Sequence, residues 1–572
     1  MSKLLYIVPR DGDTQSLVEK ITSVCDSLNP DNIVAKPTEV GYCDKVVYGL
    51  SNPNETLVRE KTNIIFGQKF NGDADWKEPG DPKPDGNYAI FRSHVEGIEI
   101  ITDILGTKAI WYLKNEKFFI ASSSQRAIIK FIGSFEFNSD VIPWMVCNGL
   151  LGPGLSWDKR ISLIPPDTAL KLDFENWKLD ISSEKIIFKP NNKTDKQNTI
   201  LFKDTLDEVF KNMKFNYSLW KLTLSGGYDS RGLLFALPKK DSSNNQIETI
   251  TWGVEGAELK SGNDAYIAKK IAHYLGVPHI YYKTNTSSTE PLSTVLKRFL
   301  KNGEGRIDHL GGYRDGFSIW KKLYESNVQG IIRGDEVFGS YNFASEFHLK
   351  KFIGLSLPSD YDNLKDLEYF QSLKFEFPDK FLKKNDEESQ ELWRDRLYQT
   401  YLVPTFLSAL EDLKQPYLEQ VNPLLSRKIV NLIRDMPDHL RTEKKLFKNY
   451  VNSFPHSFKY GKTPAIETMK DLFRQPELVI IVKKELNTSA ARKLFDESFL
   501  NFIQSKMQIY SENYSAKNSF KGRIKELIPK EIKKFFLKRT FVPKADLNMV
   551  GFRLFMISRM VTLLANDAES VQ

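Results

Sequence analysis

Residues 221–237 read Lys-Leu-Thr-Leu-Ser-Gly-Gly-Tyr-Asp-Ser-Arg-Gly-Leu-Leu-Phe-Ala-Leu. Within them, Ser225 to Ser230 combine two glycines, two hydroxyls and one carboxylate. Adjacent glycines let backbone N–H groups approach an anion closely, because no Cβ intervenes. A helix starting here adds free N–H donors and the positive end of its dipole. Ser225 and Ser230 supply further hydrogen bonds. Asp229 would repel a bare phosphate, so it makes chemical sense with Mg²⁺ between the two. The candidate nucleotide contacts are therefore Leu224, Ser225, Gly226, Gly227, Asp229 and Ser230, with Asp229 also a metal ligand. No lysine lies inside the stretch, so it is not a Gly-x4-Gly-Lys-Ser/Thr loop, and any cation on the phosphates comes from elsewhere.

A second constellation follows the apolar run 328–332: Arg333-Gly334-Asp335-Glu336-Val337-Phe338-Gly339-Ser340-Tyr341. A strand end here delivers two carboxylates to one crevice. Asp335 then shares Mg²⁺ with Asp229, and Glu336 holds metal, orients a substrate or acts as a base. Gly253, at the end of the apolar run 247–254, and Gly334 complete the candidate nucleotide contacts, since ligands of a parallel sheet lie along its strand ends. Tyr313, Asp315 and Asp308 offer further titratable groups in the Gly-rich stretch 303–316.

These residues need a scaffold, and the periodicities supply one. Leu222 and Leu224 form a short strand, and Leu233, Leu234 and Leu237 restart at helical spacing. Strand, helix (264–275) and strand (278–282) alternate, which predicts a doubly wound α/β sheet over the C-terminal part. Residues 1–190 are β-rich, with short alternating runs at 3–9, 45–48, 63–66, 87–92, 98–102, 109–113 and 118–121 and helices at 123–131 and 140–147. A layered α+β sandwich follows. Residues 71–86 read as loop and 189–199 as a polar linker. The stretch 343–392 reads as an aromatic, charged insertion, 392–413 as one long amphipathic helix, and 466–572 as a helical extension with a basic region at 521–539.

The chain has 572 residues, 41% hydrophobic and 27% charged, with a net charge of +8. That composition fits a soluble protein of two or three domains and weakly favours an anionic partner, without arguing for nucleic acid. Three scattered cysteines and seven histidines form no disulfide framework and no zinc array. No run of 18 apolar residues occurs and the first residues are too short an apolar run for a signal peptide. A cytoplasmic location is expected.

Ser-Gly-Gly-Tyr-Asp-Ser resembles the pyrophosphate loop of the ATP pyrophosphatases. Other stretches resemble the asparagine synthetases in particular. Asn87–Phe91, Thr102–Tyr112, Ala121-Ser122-Ser123 and Ile161–Asp167 look like signatures of their N-terminal glutaminase domain, an Ntn-type sandwich. Arg333–Tyr341 resembles "G-x-D-E-x-F-G-G-Y". Leu418–Leu425 and Met436–Arg441 resemble "M-E-x-R-x-P-F-L" and "L-P-x-x-L". Phe454–Pro464 fits a further stretch loosely, and its Lys-x-Gly spacing singles out Lys459, with Lys462 as the alternate. In the family this lysine stabilises charge as an acyl-adenylate collapses.

Two departures carry information. Glutamine-using members begin with a cysteine nucleophile, whereas this chain has Ser2 and no cysteine before Cys25. A serine lacks the thiol's nucleophilicity, so the resemblance implies a glutaminase fold without its activity, as in β-lactam synthetases and lasso-peptide cyclases. Ile332 stands where the family usually has an acid or tyrosine, which leaves the general base open; Arg231 replaces a more usual serine.

The resemblance implies domains at 1–190 (degenerate glutaminase-like), 191–465 (ATP pyrophosphatase) and 466–572 (helical extension). It implies ATP and Mg²⁺ as cofactors and an AMP-forming ligase joining a substrate carboxylate to an amine. The leading expectation is macrolactam formation on a precursor peptide or natural product. The alternatives are ammonia-dependent amidation of a sugar acid or small acid, and a non-catalytic scaffold that keeps the fold.

Overall fold

The computed structural model describes residues 3–70, 75–213, 215–237, 247–284, 290–343, 345–373, 382–454, 458–510 and 543–570. Ser2 and the basic region 521–539 lie outside the described residues. The fold is mixed α/β, with two antiparallel sheets and one parallel sheet.

The first sheet contains β1 (Lys3–Pro9), β2 (Glu39–Cys43), β3 (Val46–Ser51), β8 (Trp111–Lys114), β9 (Phe118–Ser122) and β10 (Ser162–Leu163), in the order β10-β8-β9-β1-β3-β2. The second contains β4 (Val58–Glu60), β5 (Asn63–Lys69), β6 (Gly86–His94), β7 (Gly97–Thr102), β11 (Thr168–Asp173) and β12 (Leu179–Ser183), in the order β12-β11-β7-β6-β5-β4. Alternation along β1 explains why all of it is buried. Leu4, Tyr6 and Val8 face the second sheet's Phe66, Phe91 and Ile100. Leu5 and Ile7 face the other way, onto Ile21 and Val24 of one helix (Val18–Asp26) and Ala127 and Ile128 of another (Gln125–Ile132). This is the two-periodicity of a strand with both faces covered.

The parallel sheet runs β15-β14-β13-β16-β17, with β13 (Trp220–Thr223), β14 (Glu248–Gly253), β15 (His279–Lys283), β16 (Gly330–Ile332) and β17 (Glu419–Val421). Helices cover both faces. Leu222, Ile332 and Val421 pack on helices Asp195–Asn212, Asp229–Ala236 and Lys445–Asn452. Ile250, Ile331 and Leu418 face helices Leu292–Gly303 and Ser318–Glu325.

Two elements differ from the sequence expectation. Helix Asp195–Asn212 begins inside the expected 189–199 linker, because Thr194 and Gln197 close a capping box that satisfies its first N–H groups. The expected helix over 392–413 is α-helical at Gln390–Leu397 and Ser408–Asp412 but widens to π geometry over Tyr398–Leu407. Pro404 lies inside that segment and has no N–H to donate, so the regular i→i−4 ladder cannot run through it.

Helix Leu547–Glu569 is long and apolar enough to cross a membrane, yet 67% of its most apolar window is buried within the protein. Its polar residues are paired inside. Arg126 donates to Asp567 at 2.7 and 3.2 Å, and Arg553 donates to Asp308 at 2.7 Å and to the carbonyls of Val146 and Cys147. One apolar core therefore runs from the helices on the first sheet, through this helix, to the parallel sheet.

A second join is ionic. Lys108 is buried between Glu411 and Glu419, 2.5 Å from the latter. Burial alone would lower the lysine's pKa, but the two carboxylates raise it. Burial pushes Glu411 up to about 7, against the pull of Lys108.

Candidate functional site

The strand order reverses direction at β13. The connection to β14 goes to one side and the return to β16 to the other. The crevice between the carboxyl ends of β13 and β16 is the topological switch point, where parallel sheets bind ligands. Leu222 pairs with Ile332, so the loop 225–230 and the segment 333–336 emerge side by side.

The loop is tied to itself. The Ser225 N–H donates to Ser230 Oγ at 2.9 Å, the two hydroxyls lie 3.0 Å apart, and the Gly227 N–H donates to Ser225 Oγ at 3.2 Å. Helix Asp229–Ala236 follows with no side-chain cap, which leaves its first turn to other acceptors. Gly334 is required by contact: a Cβ there would lie 2.9 Å from both the Asp229 carbonyl carbon and the Ser230 nitrogen. This close approach brings Asp335 and Glu336 up to Asp229.

A lysine that sequence reading missed joins them. Lys444 Nζ lies 2.9 and 3.1 Å from the Asp229 oxygens and 2.7 Å from Glu336 Oε1. Glu443 and Lys444 both adopt left-handed backbone, with φ of 57° and 56°. Such geometry is uncommon for non-glycine residues and concentrates where structure around the site enforces it. Nothing in the local sequence marks Lys444 among 81 lysines and arginines. Burial raises the Asp229 and Glu336 carboxyl pKa values, and Lys444 pulls both back only in part. Burial would lower the lysine, but Glu336 and Asp229 raise it. Asp335 is held by a different cation: Arg333 donates to its two oxygens at 3.1 Å each. Glu336 is braced by the Phe338 N–H.

Asp229, Glu336 and Lys444 open onto a chamber of about 620 Å³, walled by Tyr228, Tyr341, Phe352 and Tyr398. A more open, polar groove of about 750 Å³ shares Tyr228, Glu443 and Lys448 with it and continues past Asn342, Asn449 and Asn452. The two form one cleft.

The opposite side of the loop is occupied by the chain itself. Gly461 N–H donates to the Gly226 carbonyl at 3.0 Å, and Arg231 reaches the carbonyls of Gly226, Phe458 and Lys459. Arg231 lies 4.0 Å over the Tyr460 ring, which stacks on Tyr228 at 3.7 Å. The Val254 N–H donates to the Ala465 carbonyl at 2.8 Å, and a Cβ on Gly253 would lie 2.5 Å from that oxygen. Leu224 is buried, its N–H bonded to Ile250 and its carbonyl to Thr251.

No family model matches the chain, and no curated protein matches it.

Of the residues singled out in the sequence, Ser225, Gly226, Gly227, Asp229, Ser230, Gly334, Asp335 and Glu336 gather at the switch point. Lys459 and Lys462 lie on the 458–465 segment with exposed side chains, and neither lines the chamber. Ile332 is buried in the sheet core and offers nothing to the crevice. Asp264 follows the N-cap, which is Asn263, and packs its carboxylate against Gly226 and Gly461. Asp308, Asp315 and Tyr313 have structural partners: Arg553, the start of helix Ser318–Glu325, and the rings of Phe299 and Phe317. Tyr398, Arg394 and Asp395 reach the chamber from the 390–412 helical segment, with no motif to announce them.

Proposed function

We propose that this chain is an ATP-dependent, AMP-forming synthetase that activates a carboxylic acid as its adenylate and joins it to an amine. The reading pairs the asparagine synthetase-like motifs with one observation. The Ser-Gly-Gly-Tyr-Asp-Ser loop and the Asp335-Glu336 pair meet at the switch point of a parallel sheet, beside a chamber large enough for a small substrate. The finer fold assignment belongs to the same proposal: an Ntn-type sandwich followed by an ATP pyrophosphatase domain.

Adenylation suits such a site, because a carboxylate is a poor acyl donor until one oxygen becomes part of a good leaving group. The acid attacks the α-phosphorus of ATP, pyrophosphate leaves, and the amine displaces AMP. The uncapped start of helix Asp229–Ala236 would bind phosphate oxygens. Among the described residues no group of three His, Cys, Asp or Glu side chains forms a protein-only metal cage. The donors instead suit Mg²⁺ held by one or two carboxylates together with substrate phosphates. Asp229 feels the charge of Asp335 and would share the ion with it. Bound there, the ion would neutralise phosphate charge. Lys444 opposes the rise that burial imposes on the Asp229 and Glu336 carboxyl pKa values and places a positive charge at the chamber wall. The polar groove that continues from the chamber favours an extended acid, such as a peptide, over a minimal one.

Pyrophosphate release from ATP and Mg²⁺, scanned over carboxylic acids with an amine present, tests the reading. Asp229→Asn and Lys444→Ala should each lower turnover by about 10²-fold or more. Failure of every acid to elicit pyrophosphate, together with no ATP binding, would refute it. Lys459→Ala is the discriminating control. A comparable loss would mean that the 458–465 segment moves to bring Lys459 into the crevice, and unchanged turnover would assign its role to Lys444.

A further inference from the structure

The chamber wall combines a charged cluster with a set of aromatic rings. Asp229, Glu336 and Lys444 make the first. Tyr341, Phe352 and Tyr398 make the second, with Phe343 behind them. The rings lie in a continuous series. Tyr341 and Phe343 have centroids 4.7 Å apart, Phe343 and Phe352 are 5.0 Å apart, and Phe352 and Tyr398 lie nearly parallel at 5.9 Å. Tyr341 is 54% exposed, and Phe352 and Tyr398 are half-buried, so ring surface remains open to the cavity.

Two further charged groups of the wall, Arg394 and Asp395, are already satisfied. Arg394 forks onto Asp395 and donates to Asn342, and Asp395 also accepts from Arg441. They offer no spare charge to the body of a ligand. Lys448, shared by the chamber and the outer groove, lies 5.6 Å over the Tyr228 ring and forms no salt bridge within 4 Å among the described residues. Lys444 is already shared by Asp229 and Glu336, so an occupant matching this lining carries its anionic group toward Lys448 and a flat, uncharged body against the rings.

We propose that this chamber is the acid subsite and that it selects carboxylic acids bearing an aromatic ring. The inference rests on the acid-activating reading of the same site and names its substrate class. Ring-to-ring contact adds to what apolar burial alone provides, because the positive edge of one ring meets the negative face of another. An aryl acid is therefore favoured over an alkyl acid of similar hydrophobicity. The wall belongs to the excursion between β16 and β17, which holds specificity apart from the loop and carboxylates at the strand ends.

The test uses the full chain with Mg²⁺ and α,β-methylene-ATP, which cannot release pyrophosphate, and measures affinity by titration calorimetry for 3-phenylpropionate, hexanoate and glucuronate. Pyrophosphate release is measured separately with ATP. The wild type should bind 3-phenylpropionate about tenfold more tightly than hexanoate, the gain of one or two ring contacts. Glucuronate should bind more weakly than either. Tyr341→Ala and Phe352→Leu should each shrink the aryl-to-alkyl ratio toward unity, and a wild-type-like thermal melt of each variant excludes misfolding as the cause. Equal affinity for the aryl and alkyl acids, or a ratio that neither variant changes, overturns the inference. Pyrophosphate release with glucuronate or hexanoate but not with 3-phenylpropionate overturns it while the synthetase reading stands. Selective aryl binding without pyrophosphate release from any acid supports the subsite and overturns the synthetase reading.

Discussion

Replacing Lys444 with Met keeps the length of the side chain and removes its charge. Asp229 and Glu336 are then left facing each other without their shared cation. Breaking a fully buried ion pair costs about 3–5 kcal/mol, and an exposed pair contributes about 0–1 kcal/mol. Here the Lys444, Asp229 and Glu336 side chains are 28%, 31% and 10% exposed. Solvent screening at the first two places the expected loss between those limits, at about 1–3 kcal/mol. The pH dependence is the sharper readout. Burial already raises both carboxyl pKa values in the folded protein, and Lys444 opposes the rise. Without the lysine they rise further. Between the unfolded and folded pKa values the native state then binds more protons than the unfolded state, so stability falls as pH increases through that window. The deficit of Lys444→Met against wild type should be largest at about pH 8 and shrink toward about pH 5, as protonation removes the repulsion. Urea unfolding followed by tryptophan fluorescence at both pH values measures it. Mg²⁺ at millimolar concentration should stabilise the variant more than the wild type, since its carboxylates are free to bind the ion. A deficit that is the same at both pH values, or absent at the higher one, refutes the assignment of Lys444 as the charge balancing these carboxylates.

Gly334→Ala puts a methyl group 2.9 Å from the Asp229 and Ser230 backbone. It should cost about 1–3 kcal/mol and push the two carboxylate segments apart. Gly227→Ala, whose Cβ meets only Ser225 Oγ at 3.3 Å, should cost clearly less in the same thermal melts. Lys108→Met leaves Glu411 and Glu419 buried without a cation, and should lose about 3–5 kcal/mol on urea unfolding. Converting both glutamates to glutamine in the same chain should restore most of it, and a loss below about 1 kcal/mol would argue against a buried, ionised cluster. Arg231→Lys cannot reproduce the planar fork to the Gly226 and Lys459 carbonyls or the same stacking on Tyr460. Trypsin should therefore cut after Lys459 or Lys462 faster in the variant, with cleavage sites read by mass spectrometry.

The strand, glycine turn and helix at 220–236 were legible because period and turn chemistry agree over a short span. The β-rich first part was legible for the same reason, since alternating runs such as 98–102 determine which side of a strand each residue faces. What escaped was long-range contact. Lys444 lies 215 residues from Asp229, and no local pattern in its neighbourhood separates it from other lysines. The π segment at Tyr398–Leu407 has an ordinary amphipathic sequence, and Pro404 was the one mark against a regular helix. The apolar helix Leu547–Glu569 was readable as a helix, but its place in the core depends on Arg553 and Asp567 finding partners far away in sequence. Its Lys-x-Gly spacing singles out Lys459, and spacing cannot report whether the side chain faces the crevice.

The two sides of the loop at 225–230 are not equivalent, and this constrains any nucleotide. On the β14 side the Gly226 carbonyl is taken by Gly461 and Arg231, and Ala465 covers Gly253. On the β16 side the loop's helix end and Asp229 face the open chamber. Of the loop, Tyr228 and Asp229 line the chamber, so phosphates approaching from there would meet the start of helix Asp229–Ala236. A base and ribose lying along the ends of β13 and β14 would instead have to displace residues 461–465. The segment that carries Lys459 is thus the same one that covers Gly253, so nucleotide binding along those strand ends and repositioning of Lys459 would be a single movement. Arg231→Lys, by loosening that segment, should then strengthen ATP binding even as it weakens the hold on Tyr460. Weaker or unchanged ATP affinity in that variant would mean that the nucleotide lies wholly on the chamber side.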